Sequence, residues 1–190
     1  VYMLYGRVRT SRESALIYLI ERITAKELTT RSLESELKEI IRERDEILKD
    51  RFDHLIEKAE VMDIDQPITM DEFFRMAAAK LARRLATSTD EIYELLLKRE
   101  SESTTVLTPH LAVPHIILKG EKKFEILLAR SRPGIEFPGS PDRIHAVFVL
   151  AGTPDERPFH LKSLAAIAQI IQDREFETKW MAAKGEEGLR

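Results

Sequence analysis

Apolar residues recur along this chain with a helical period in some stretches and in near-continuous runs in others, and each change marks an element. Between Ser11 and Ile23, Leu16, Leu19, Ile20 and Ile23 share one face, which predicts a short helix with Ser11 as its N-cap. A longer helix opens at Thr29 or Thr30 and reaches about Ala59. Along it Ile41, Leu48 and Leu55 return every seven residues, flanked by Leu37, Ile40, Ile47 and Phe52. Arg44 and Arg51 stand where a two-stranded coiled coil needs a second apolar row. The pattern is therefore that of an amphipathic helix packed on its own domain or on a partner subunit.

Val61-Met62-Asp63-Ile64-Asp65 then reads as a short strand that Gln66-Pro67 ends. Thr69-Met70-Asp71-Glu72 is a capping box, and the helix it opens carries Phe73, Phe74, Ala77, Ala78, Leu81 and Leu85. Ser88-Thr89-Asp90-Glu91 starts a second helix, with Ile92, Leu95 and Leu96 behind it and Arg99-Glu100 at its end. Three strand-like runs follow, Leu111 to Leu118, Phe124 to Ser131 and Ile144 to Leu150. Arg132-Pro133-Gly134 and Pro138-Gly139-Ser140-Pro141 supply turns between the later ones. The runs are nearly continuous in apolar residues, as expected when helices cover both faces of a sheet. Phe159 or His160 begins a helix with Leu161, Leu164, Ala165, Ile167, Ala168 and Ile171 inward, and a last helix holds Phe176, Trp180 and Met181 before a charged tail. The fold class is α/β, a small mixed β-sheet sandwiched between helices over residues 61–190, preceded by an amphipathic helical segment over residues 1–60.

Composition narrows the chemistry. At 190 residues the chain is long enough for one well-buried domain plus an appendage. With 43% hydrophobic and 33% charged residues it reads as a soluble globular protein with a heavily charged surface, and a formal charge of −3 gives no reason to propose nucleic-acid binding. The absence of cysteine excludes disulfides, thiolate metal sites and thiol catalysis. No run approaches the roughly 20 apolar residues of a membrane span. Yet apolar, aromatic Val1-Tyr2-Met3-Leu4-Tyr5 precedes the Arg-rich Gly6-Arg7-Val8-Arg9-Thr10-Ser11-Arg12, the order found at the cytoplasmic end of a transmembrane helix. The chain thus reads as the cytoplasmic C-terminal part of a membrane protein; the alternative is a frayed apolar N-terminus of a soluble protein.

The candidate chemistry lies between Arg99 and His115, R-E-S-E-S-T-T-V-L-T-P-H-L-A-V-P-H. Pro114 lacks the N–H that a sheet ladder needs, so it marks a strand edge or break. His115 follows it on stiff, irregular backbone, a position suited to an imidazole that faces out of the fold.

R-E-x-x-x-T-T followed by A-V-P-H resembles the phosphorylation loop of the fructose/mannitol-type EIIA domain of the bacterial sugar phosphotransferase system, R-E-E-x-x-S-T-G-I-G-N-G-x-A-I-P-H. Arg99, Thr104, Thr105, Ala112, Pro114 and His115 fall on family positions, and His115 matches the phosphoryl-accepting histidine. The glycine-rich G-I-G-N-G does not carry over; Val106 to His110 stand in its place. His160-Leu161 with Leu164-Ala165 resembles the family's H-L-x-x-L-x-x-L-A, whose histidine sits beside the phosphorylated one, and Asp173-Arg174-Glu175-Phe176 with Ala183-Lys184 resembles its terminal helix. The resemblance covers residues 61–190. Within residues 1–60, L-Y-G-R-V-R and E-S-A-L-I-Y-L-I-E-R-I-T are similar to the juxtamembrane helices of prokaryotic permeases for polyamines and cationic amino acids.

The resemblance implies phosphoryl transfer with His115 as nucleophile, the forked Arg99 guanidinium offsetting charge on the equatorial oxygens, and His160 donating to the phosphate from a helix start. Thr104 and Thr105 would add hydroxyls or backbone donors. His110, in place of a family glycine, would hydrogen-bond the site, join His115 and His160 around a metal, or fill the loop. Three histidines without a carboxylate of diagnostic spacing do not make a zinc site, so neither metal nor cofactor is expected. His145 reads as a satisfied strand residue and His54 as a surface one.

Three functions follow. The first is a regulatory EIIA-like domain of a membrane amino-acid transporter, at the cytoplasmic face of the membrane, sensing or relaying a phosphoryl signal through His115. The second is a working EIIA phosphocarrier that passes phosphate to an EIIB; the third is a dimerisation scaffold without chemistry. Candidate partners are the transporter part of the same chain, a phosphocarrier protein and a second copy of the chain; the usual cysteine-phosphorylated EIIB is not in this chain.

Overall fold

A computed structural model describes residues 51–190. The helix expected at residues 11–23, and the part of the longer helix before Arg51, lie outside the described residues. The rest of that longer helix is present as α1 (Arg51–Glu57), from which Leu55 and Ile56 pack on the core.

After α1 come β1 (Glu60–Ile64), α2 (Met70–Leu85), α3 (Thr89–Glu102), β2 (Val106–Thr108), β3 (Leu111–Ala112) and β4 (His115–Ile117). They are followed by β5 (Phe124–Ile135), β6 (Ile144–Gly152), a 3₁₀ turn at Pro154–Glu156, α4 (Arg157–Ile170), α5 (Phe176–Ala182) and α6 (Gly185–Leu189). The six strands form one mixed sheet in the order β1-β5-β6-β3-β2, with β4 also pairing with β6. β1 runs parallel to β5, β3 and β4 run parallel to β6, and the β5–β6 and β2–β3 pairs are antiparallel.

Strand alternation divides the apolar residues between two cores. Ile126, Leu128, Phe148 and Leu150 face α4, α5 and α6, while Leu127, Ala129, Val147 and Val149 face α2 and α3. Both faces of the central strands are therefore dry, which explains the continuous apolar runs. The architecture is the sheet between helices that the pattern predicted. Among the described residues no helix is long and apolar enough to cross a membrane.

Local signals hold where they are strong. The Thr69 hydroxyl accepts from the Glu72 amide at 3.2 Å, and the Glu72 carboxylate accepts from the Thr69 amide at 2.7 Å, the full capping box. The differences have identifiable causes. The run Leu111–Leu118 is not one strand, because pairing with β6 lapses at Val113-Pro114 and resumes at His115. Arg132-Pro133-Gly134 is not a turn, because β5 continues through it to Ile135. Five residue steps on β5, Arg130 to Ile135, span two on β6, Ala146 to Ile144, and Pro133 sits in that bulge, where no ladder N–H is required. Val106–Thr108, read as loop, pairs antiparallel with β3. Helix α4 starts at Arg157 rather than Phe159, with Pro158 in its first turn where a missing N–H costs nothing. The charged tail is α6, whose Leu189 is buried.

Candidate functional site

The break at Pro114 builds the site. Registers Ala112↔Val147 and His115↔Leu150 keep the same offset on either side of the lapse, so the ladder skips rather than slips. In the gap the Val113 carbonyl accepts a hydrogen bond from His115 Nδ1–H at 2.9 Å. That bond assigns the proton to Nδ1 and leaves the Nε2 lone pair bare. Nε2 faces Arg99 at the end of α3, whose Nε–H lies 3.4 Å away. The Arg99 guanidinium is itself anchored, with Nη1 donating to the Ser103 carbonyl at 2.9 Å and the Ser103 hydroxyl at 3.0 Å.

Alternation puts His115 on the same side of the sheet as Val113, toward α4, where the ring of His160 meets it edge-on at 6.0 Å between centroids. Phe124 packs against His160 at 5.2 Å. Both imidazoles are fully buried. Burial pushes the His115 pKa well below 6.5, the nearby Arg99 charge and then His160 add to that, and the Val113 bond opposes them. His160 is lowered to about 3 by burial. Both rings are therefore neutral at physiological pH, as a nucleophilic imidazole must be. Neither nitrogen of His160 has a hydrogen-bond partner among the described residues. A buried polar group left this way is costly.

The other candidates divide. Thr105 is fully buried, its amide and hydroxyl both given to Glu100, so its side chain holds the loop rather than facing the imidazole. Thr104 is exposed and its hydroxyl accepts from the Val106 amide at 3.2 Å. The structure does not bring His110 to His115. Its carbonyl accepts from the amides of His145 and Ala146, its Nδ1–H donates to the Arg143 carbonyl, and its ring lies 5.6 Å from that of His145. Since His115 pairs at Leu150, five residues further along β6, the two histidines are separated by roughly 16 Å along the sheet. His145 is satisfied, donating from Nδ1 to the Ser131 carbonyl at 2.9 Å, and the exposed His54 meets Glu57. Among the described residues no three His, Asp or Glu side chains converge as metal ligands.

The family profile described as "Phosphoenolpyruvate-dependent sugar phosphotransferase system, EIIA 2" matches residues 54–190. The chain belongs to this EIIA 2 family. Over 116 residues the EIIA 2 chain is 33% identical to the "Nitrogen regulatory protein" of Bradyrhizobium diazoefficiens, an overlap of 59% of this chain and 74% of that one. Over 99 residues it is 27% identical to the "PTS system fructose-specific EIIABC component" of Bacillus subtilis, half of this chain but only 15% of that one. The solution structure of the mannitol-specific cryptic phosphotransferase enzyme IIA from Escherichia coli is similar in fold, with a TM-score of 0.61 at 19% identity, covering 74% of this chain and 95% of that one. Domains of this family work with phosphocarrier partners such as EIIB.

Two features of the EIIA 2 site escape a reading by motif. Glu100, beside Arg99 in sequence, is nearly buried and gathers the donors of Thr105, and only the depth of the loop makes this visible. The approach to His115 is also narrow: a cavity of about 50 Å³ between Lys98, Arg99, Glu102 and Ile116, enough for a few waters. Arg99, whose Nε lies 3.4 Å from His115 Nε2, forms part of the wall of this cavity. A larger groove of about 690 Å³ lies elsewhere, between α1 and the α4–α6 layer, and contains none of these residues.

Proposed function

We propose that this EIIA 2 domain accepts a phosphoryl group on His115 Nε2 and uses it as a regulatory signal, as the cytoplasmic module of a membrane amino-acid transporter. One observation carries the acceptor reading: Nδ1–H is committed to the Val113 carbonyl while Nε2 is held bare beside a guanidinium. The Nε2 lone pair forms the new N–P bond as the donor protein's bond to phosphorus breaks and the donor keeps that electron pair. His115 retains its Nδ1 proton, so the product ring is cationic and bears a dianionic phosphoryl group. Arg99 and His160 flank the oxygens; His160, unpartnered and neutral, gains a hydrogen-bond acceptor only when phosphate arrives.

The regulatory reading is supported by the name of the Bradyrhizobium relative and by the loss of the glycine-rich loop before His115. The transporter reading rests on the aromatic-then-Arg order of residues 1–12 and on the permease-like residues that follow. Similarity to the fructose-specific component favours a second reading, an EIIA that hands phosphate on to an EIIB.

Intact mass spectrometry after incubation with enzyme I, phosphocarrier protein and phosphoenolpyruvate should show an acid-labile adduct of roughly 80 Da, absent in His115→Ala. A folded protein with no adduct sinks the acceptor reading. Onward transfer to an added EIIB decides for the second reading. Fractionation of cells expressing the full-length protein tests the transporter: recovery in the soluble fraction overturns it.

A further inference from the structure

A line of four buried residues connects the end of α3 to the reactive imidazole. The Glu100 carboxylate accepts the Thr105 amide at 3.2 and 3.1 Å and the Thr105 hydroxyl at 2.5 Å. The Thr105 carbonyl accepts the Val113 amide at 2.9 Å, and the Val113 carbonyl accepts His115 Nδ1–H at 2.9 Å. Glu100 is 7% exposed and Thr105, Val113 and His115 are fully buried, so water competes with none of these bonds.

We propose that Glu100 is a positioning residue for His115, acting through Thr105 and Val113 to hold the imidazole in its Nδ1–H tautomer with Nε2 presented to the incoming phosphorus. The carboxylate is the only group in the line able to receive both Thr105 donors at once. A nearly buried carboxylate is an expensive choice for packing alone, where an amide or an apolar residue serves at lower cost. Its return lies at the other end of the line. The Val113 carbonyl sits in the ladder gap at Pro114, and its position there is set by the amide bond to Thr105 on one side and the pairing of His115 with β6 on the other. Were the Thr105 backbone to drift, Val113 would lose its tether and Nδ1–H its acceptor. The ring would then populate the Nε2–H form, whose nucleophilic lone pair is gone and whose proton points at the Arg99 donor. The bond also gains strength along the reaction, because the imidazole becomes cationic as the N–P bond forms while Nδ1 keeps its proton. The kinetic half of this proposal rests on the phosphoryl-acceptor reading; the tautomeric half stands without it.

The test compares wild type with Glu100→Gln, Thr105→Val and Thr105→Ser. Glutamine keeps the volume but turns an NH₂ toward a donor, valine keeps the shape without the hydroxyl, and serine keeps both donors. Ring ¹⁵N shifts of His115 report the tautomer, and the adduct assay reports phosphoryl acceptance. The Nδ1–H form should dominate in wild type and Thr105→Ser. Glu100→Gln and Thr105→Val should shift toward the Nε2–H form and accept phosphate roughly ten- to a hundredfold more slowly. A folded Glu100→Gln with the wild-type tautomer and rate overturns the proposal. If that variant does not fold, Thr105→Val decides it by the same two readouts. A wild-type protein that takes no phosphate but whose tautomer depends on Glu100 removes the acceptor reading and leaves the positioning role standing. One that accepts phosphate with a tautomer indifferent to Glu100 does the reverse.

Discussion

Arg130 and His115 are both fully buried in the sheet layer, and their surroundings could hardly differ more. All three Arg130 guanidinium nitrogens donate. Nε reaches Asp63 at 2.8 Å, Nη2 reaches its other oxygen at 2.5 Å, and Nη1 lies among the carbonyls of Trp180, Met181 and Ala183 at the end of α5. A bidentate carboxylate and the orphan carbonyls of a helix C-terminus are what a buried guanidinium needs. Around His115 the bonding is incomplete: Nδ1–H is held by the Val113 carbonyl at 2.9 Å, Nε2 has the Arg99 contact at 3.4 Å, and neither nitrogen of His160 has a partner among the described residues. Completed polar bonds hold β1, β5 and α5 in place; polar capacity is left unfilled beside His115. The two clusters teach that burial alone does not tell how a polar side chain is held, whereas the count of satisfied donors does.

Arg130→Met should cost about 3 kcal/mol in chemical denaturation, because it leaves three carbonyls without their donor and the partly exposed Asp63 with only its 3.7 Å Arg132 contact. A loss below about 1 kcal/mol would put Arg130 in the same class as ordinary surface pairs.

Acid should strike the other cluster. His115 and His160 are neutral in the fold but take a proton near pH 6.5 once unfolded, so their contribution to stability is intact above that pH. It drains as pH falls, continuing for His160 down to about 3. Between pH 6.5 and 5 His160 should cost about 2 kcal/mol, and His115 acts in the same direction. Asp63, whose carboxyl is held below the usual 3.8 by its Arg130 bond, loses its contribution only in more acidic solution. Urea midpoints at pH 7 and 5 separate the two windows.

His160→Leu should raise stability at pH 7 by about 1 kcal/mol, since it removes two unpaired buried nitrogens, and should halve the histidine part of the acid sensitivity. The same change should shorten the lifetime of phosphorylated His115; a destabilised variant with normal phosphorylation would mean that His160 is ordinary core. The smallest effect belongs to His110→Ala, expected to move the unfolding midpoint by less than about 0.5 kcal/mol and to leave the adduct unchanged. A lost adduct would bring His110 back into the site.

What the sequence displayed depended on how local the signal was. The Thr69–Glu72 box, the near-continuous apolar run through Phe148 and Val149, and the proline before His115 each act within a few residues, and each is where the pattern placed it. His160 is paired with His115 through a family motif rather than through any spacing, because 45 residues and two long strands separate them. The Asp63–Arg130 pair, 67 residues apart, has no periodicity to announce it. β2 and the far end of β5 are strands only because β3 and β6 offer them partners, overriding Pro133 and the polar loop residues around Val106. His110 shows the converse trap: nearness in sequence to His115 becomes distance once the chain is extended.

β4 has a further consequence. It is three residues long, among the described residues pairs only with β6, and β2 stops short of its outer side. An open strand edge invites other chains to add themselves and seed aggregates. Here the edge is too brief for that, begins after a residue without an amide hydrogen, and is overhung by Arg99. The margin beside His115 therefore offers an arriving chain no template on which to add a strand.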